Sequence, residues 1–99
     1  MNMKNLLTSS FQFRYQLLSR LICDCKYYLG YGNRSRKYLW GKNESDHIRY
    51  MFEIYDSFPD RDKPEWTSRP EIIDFGRQMG VNVMPIAKEM YKMRTHRAA

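Results

Sequence analysis

Residues 11–34 read FQFRYQLLSRLICDCKYYLGYGNR, and this stretch decides the fold. Phe11, Tyr15, Leu18, Ile22, Cys25 and Leu29 recur every three or four positions, and Leu17, Leu21 and Tyr28 widen the stripe. That is the period of a helix with a broad buried face. Ser9 or Ser10 is placed to accept the free N–H groups of the first turn. Gly30 stands just past the last apolar residue, where a left-handed C-cap is wanted. The spacing predicts a helix over 11–29.

Working outward, GYGNRSRKYLWGKN (30–43) reads as a loop rich in Gly, Asn and Ser, residues suited to tight turns. It also holds Tyr31, Tyr38, Leu39 and Trp40, too apolar a set for a merely solvated connection. Such aromatics either fold back over the end of the core or stand out as a binding anchor. A second helix is expected from Asn43 or Ser45 as N-cap, with Glu44 and Asp46 at its positive end and Ile48, Met51, Phe52, Tyr55 and Phe58 on its apolar face. Pro59 ends it. After a loop PDRDKPEWT (59–67), Ser68-Arg69-Pro70-Glu71 is a capping box with proline in the first turn. Ile72, Ile73, Phe75, Gln78 and Met79 carry a third helix, closed by Gly80. VNVM (81–84) reads as an extended linker or brief strand. Beyond Pro85, Ile86, Met90 and Met93 align on one side of a basic tail or fourth helix. The resulting fold class is all-α: an arm over 1–10, a helical domain over 11–80, and a basic tail or helix over 81–99.

Ninety-nine residues allow one small core. The 42% hydrophobic and 28% charged fractions fit a globular chain rather than a disordered one. No apolar run approaches the roughly 20 residues that span a bilayer, and the first residues lack the apolar core of a signal peptide. Only two cysteines are present, too few for a secreted disulfide framework, so a cytoplasmic setting and no membrane partner are expected.

Cys23 and Cys25 sit two apart on a helix and therefore point apart, which disfavours both a disulfide and a shared metal. They read instead as small apolar core residues. His47 and His96, the two histidines, match no zinc spacing. A cysteine with His47 could act as nucleophile and base, but no sequence elbow supports the pair. Gly30-Tyr31-Gly32 follows a helix, whereas a nucleotide-binding loop follows a strand. No catalytic, metal or cofactor site is expected, and the chain reads as a non-enzyme.

The net charge is +6, and it is unevenly spread. Residues 30–42 carry Arg34, Arg36, Lys37 and Lys42 with no acid, while residues 43–85 are net acidic and both flanks are basic. Two candidate contact surfaces follow. One is the loop of Asn33, Arg34, Arg36, Lys37, Tyr38 and Trp40; the other is the tail with Lys92, Arg94 and Arg97. Cations interleaved with aromatics can grip an acidic protein through an aromatic anchor, or grip phosphates and stack bases. A protein-interaction module is the leading reading and a small nucleic-acid-binding module the alternative. The oligomeric state is not legible.

YQLLSRLICDCKYYLGYGNR (15–34), LW (39–40), HIRYMFEIYDSF (47–58) and KPEW (63–66), in this order and spacing, resemble large polyvalent protein-associated domain 11, a family of phage and conjugative-element proteins. The resemblance spans about Phe11 to Gly80 and leaves 81–99 outside. It implies a helical domain in a mobile-element setting, with no assigned enzymatic activity. Its signature positions would be Leu29, Gly30, Gly32, Asn33, Arg34, Leu39, Trp40, Pro64, Glu65 and Trp66. In that frame the partner is a host or element protein, and blunting a host defence system is one outcome. Trp40 and Trp66 would pack over helix ends from two different loops, and Glu65 would pair with Arg34.

Overall fold

The computed structural model describes residues 10–40 and 43–88. Three α-helices lie there: α1 (Phe11–Leu29), α2 (Glu44–Asp56) and α3 (Arg69–Gln78). Single 3₁₀ turns, Arg36–Tyr38 and Asp60–Asp62, interrupt the two connections. Residues 83–88 are also helical, and no strand occurs among the described residues. The fold is all-α. The expected arm 1–10 lies outside the described residues except for Ser10, and so does the tail beyond residue 88.

Each helix begins where a side chain can replace the missing backbone acceptor. Ser10 Oγ accepts from Phe13 N–H at 3.2 Å, Asn43 Oδ1 from Asp46 N–H at 2.8 Å, and Ser68 Oγ from Glu71 N–H at 3.3 Å. Pro70 fills the first turn of α3, where its absent N–H costs nothing. Gly80 closes α3 with φ +82°, a left-handed conformation that suits glycine. Gly30 does not adopt it, against expectation: it ends α1 at φ −113°, and the left-handed residues of that connection are Asn33 and Arg34.

α2 is the central helix, packed against both α1 and α3. That position explains why it buries more than one stripe. His47, Ile48, Met51, Phe52 and Ile54 are all enclosed, while Tyr55 stays half-buried. On α1 the buried face is Arg14, Leu17, Leu18, Leu21, Ile22, Cys25 and Tyr28. It is rotated from the predicted stripe, leaving Phe11 exposed and Tyr15 half-buried. Arg14 enters this face because Ser57 Oγ accepts from its guanidinium at 2.9 Å, and because it stacks 4.7 Å from the Phe11 ring centre and 5.2 Å from that of Phe58.

The stretch 81–84 differs from its reading as linker or strand, since the helix already begins at residue 83. Pro85 falls in its first turn and breaks no intrahelical bond there. Val81, Val83, Ile86 and Ala87 join the core. Gly76 makes this possible: a Cβ there would stand 2.7 Å from Val83 Cγ1, so only glycine lets this segment close on α3.

Candidate functional site

The loop that carries most of the candidate residues is fastened to every helix. Its first turn wraps the end of α1. Gly30 N–H donates to the carbonyls of Lys26 and Tyr27 at 3.1 Å each, Gly32 N–H to Tyr27 O at 2.7 Å, and Arg34 N–H to Tyr28 O at 2.8 Å. These bonds satisfy carbonyls that the end of a helix leaves without partners. Asn33 and Arg34 adopt φ of +51° and +61° to complete the wrap. That is a conformation asparagine tolerates better than arginine, so the contacts around Arg34 must hold it there.

Those contacts are specific. The Arg34 guanidinium donates to Gln78 O at the end of α3, 3.0 Å away, and lies 5.8 Å from the centre of the Tyr28 ring. A cation is favoured at the negative end of a helix. The expected partnership with Glu65 is not formed; Arg34 reaches the end of α3 instead, because the loop crosses that end on its way from α1 to α2. Arg36 Nε donates to Glu44 Oε1 at 2.8 Å, and the Tyr28 hydroxyl donates to Glu44 Oε2 at 2.9 Å. One carboxylate thus joins α1, the loop and the first turn of α2. Burial alone would raise the Glu44 carboxyl, but its own backbone amide, Tyr28 and Arg36 together hold it below the usual carboxylate range. Around it, Arg36, Asn43, Glu44, Ser45, Met79, Gly80 and Val81 line an open cleft of about 170 Å³.

The last anchor is His47. Its Nδ1 accepts from Trp40 N–H at 2.8 Å, and its Nε2 lies 2.9 Å from Leu21 O. A backbone N–H can only donate, so Nδ1 carries no proton and Nε2 donates to the carbonyl. His47 is therefore a neutral, fully enclosed staple between α1, α2 and the loop, and burial pulls its pKa below the ordinary value. Cys25, also enclosed, donates its thiol to Met51 Sδ at 3.5 Å, and burial, with Asp24 adding, pushes it up to about 12. A thiol so disfavoured as thiolate and an imidazole with both nitrogens engaged do not form an activated pair. Cys23 is exposed, against its reading as a core residue, because it falls on the outer face of α1. Among the described residues, no group of three or more His, Cys, Asp or Glu could hold a metal ion. No helix of the described residues is long and apolar enough to cross a membrane.

Of the predicted contact residues, Asn33, Arg34, Arg36 and Lys37 share the exposed side of the loop. Lys37 Nζ sits 5.1 Å from the Tyr38 ring centre. Tyr38 is half-buried and turns its ring edge-on to Tyr27, 4.6 Å away. Leu39 is buried, and Trp40 packs against the core with its ring perpendicular to that of Tyr50. Leu39 and Trp40 thus serve as cover, while Tyr38 rests on the exposed Tyr27. Trp66 does not: it is 50% exposed and lines a groove on the outside of α1 with Tyr15, Gln16 and Ser19. The expectation that both indoles pack over helix ends fails for Trp66; Trp40 packs against the core. Lys92, Arg94 and Arg97 lie outside the described residues. Tyr31, absent from the predicted set, is 95% exposed. Its position between two glycines at the tip of a turn was the available signal.

Gly32 is the tightest point of the loop. A Cβ there would stand 2.8 Å from Tyr27 O and 2.9 Å from the Tyr27 ring. Gly32→Ala must therefore push the turn off the carbonyl it bonds, at about 2 kcal/mol. Denaturant melts should show the midpoint falling with an unchanged slope; an unshifted midpoint would mean that the wrap is not needed.

The geometry defines a class of small all-α domain whose basic connection is tied to the ends of its helices. The chain belongs to the family described as Large polyvalent protein-associated domain 11, whose sequence model matches residues 11–79. Among curated proteins and solved structures nothing matches the chain.

Proposed function

We propose that this chain is a non-enzymatic interaction module of a phage or related mobile element, acting in the host cytoplasm by docking on a host or element protein. Blunting a host defence system is the outcome we assign to that docking. Family membership supports the polyvalent-protein setting. The observation that carries the docking reading is the loop itself: Asn33, Arg34, Arg36 and Lys37 are exposed on a loop whose backbone is bonded to the end of α1 and to His47, and whose Arg34 and Arg36 side chains tie it to α3 and α2. A surface held rigid before it meets a partner loses little conformational entropy on binding. The Glu44 carboxylate beside Arg36 argues against a continuous phosphate track, which makes nucleic acid the second reading.

Affinity capture from nuclease-treated host lysate tests the choice. The expected result is a protein retained after nuclease and lost at least fivefold with Lys37→Glu, a variant whose melting temperature should hold because Lys37 is exposed. Retention that disappears with nuclease, together with DNA affinity falling steeply between 50 and 200 mM salt, would establish the nucleic-acid reading instead.

A further inference from the structure

We infer that Tyr31 is the anchor of this docking loop, seating its ring in an apolar socket rimmed by carboxylates on a folded acidic protein. This rests on the reading of the loop as a docking surface and adds the residue and the partner's chemistry. Five aromatic side chains crowd this end of the fold, and four are already engaged. Tyr28 is buried and bonded to Glu44, Tyr27 and Tyr38 meet edge to face, and Trp40 lies against the core. Tyr27 keeps 43% of its surface exposed, but Tyr31 stands almost wholly in solvent, 95% exposed.

Its backbone is not loose. The residues on both sides are hydrogen-bonded into the α1 end, Asn33 N–H donates to Gly30 O at 3.1 Å, and Ser35 N–H to Gly32 O at 3.0 Å. Gly32 leaves room for the turn to close on Tyr27 O, so the backbone that carries the exposed ring is held against the end of α1. A rigid aromatic with few rotatable bonds is the kind of side chain that dominates binding energy at protein interfaces.

Charge selects the partner. Arg34 and Lys37 are exposed and carry no carboxylate partner among the described residues, Arg34 lying between Gln78 O and the Tyr28 ring and Lys37 beside Tyr38, while Arg36 is compensated by Glu44. Two separated cations with a neighbouring carboxylate match discrete Asp or Glu side chains around a socket better than an evenly charged polyanion. A fully exposed ring is desolvated only in an apolar recess, which a folded protein provides.

The test uses the full chain and a yeast-displayed library of a small folded scaffold with a randomised concave face. Selected binders should carry Asp or Glu around an apolar centre. Tyr31→Ala should weaken them about 30-fold, the loss that marks a hot-spot residue, and Tyr31→Phe no more than about threefold, with both melting temperatures unchanged. Binders indifferent to Tyr31→Ala but weakened by Lys37→Glu would overturn the anchor and leave the docking loop standing. Binding only to a 20-nucleotide single strand, lost with Tyr31→Ala, would overturn the protein partner. Failure of both probes to bind the loop would overturn the anchor and the docking reading together.

Discussion

His47→Leu is expected to destabilise the domain by about 3 kcal/mol, although leucine has nearly the volume of histidine and should fill the site. The loss comes from hydrogen bonds. Leucine leaves Trp40 N–H facing an apolar atom in place of Nδ1, and it removes the contact with Leu21 O. An orphaned backbone donor costs about 1–3 kcal/mol, and each lost bond adds about 1. For a domain of this size the melting temperature should fall by on the order of 15 °C. His47→Asn returns an acceptor at the δ position and should recover part of the loss. Equal melting of the wild type and His47→Leu would show that the staple contributes nothing.

The same residue sets an acid limit. Unfolded, His47 takes a proton near its ordinary value of 6.5; folded, burial delays protonation to lower pH, with Leu21 O and Asp24 opposing in part. Below pH 6.5 the unfolded chain therefore binds more protons at this position, and the His47 contribution to stability declines until the folded form titrates too. Above 6.5 the contribution is complete. His47→Asn should flatten the stability profile between pH 6.5 and 5 relative to the wild type. An unchanged slope would assign the acid sensitivity elsewhere.

Arg69→Met carries the second large effect. The Arg69 guanidinium donates to Asp56 Oδ1 and, at 3.3 Å, to Ala87 O, and it stacks 5.0 Å from the Phe52 ring centre. One side chain thus joins α2, α3 and the helical segment 83–88. Removing it strands the Asp56 carboxylate, whose side chain is only 11% exposed. Breaking a fully buried pair costs about 3–5 kcal/mol; Arg69 retains some contact with water, so a loss of about 2–3 kcal/mol is expected. Asp56→Asn in the same chain should restore much of it, because the stranded charge is gone. A double-mutant cycle with no coupling would show that packing on Phe52, and not the ion pair, is what Arg69 supplies.

Where a residue's role depends on its immediate neighbours in the chain, the residues declare it. The α1 period, the caps at Ser68 and Asn43, the stops at Gly30 and Gly80, and the all-α class all follow from local spacing and backbone preference. Roles that depend on a partner dozens of residues away are silent in the chain. His47 reads as a lone histidine until Leu21 and Trp40 close on it from 26 and 7 positions away. Arg34 has several acids within sequence reach, yet only the crossing of the loop over α3 gives it the Gln78 carbonyl. Trp40 and Trp66 are alike as sequence; one covers the core and the other borders a groove, because α2 packs beneath the first and only the outer side of α1 lies beside the second. Local geometry is written in the order of side chains, but burial is a property of what comes to lie on top, and that was settled only when the helices assembled.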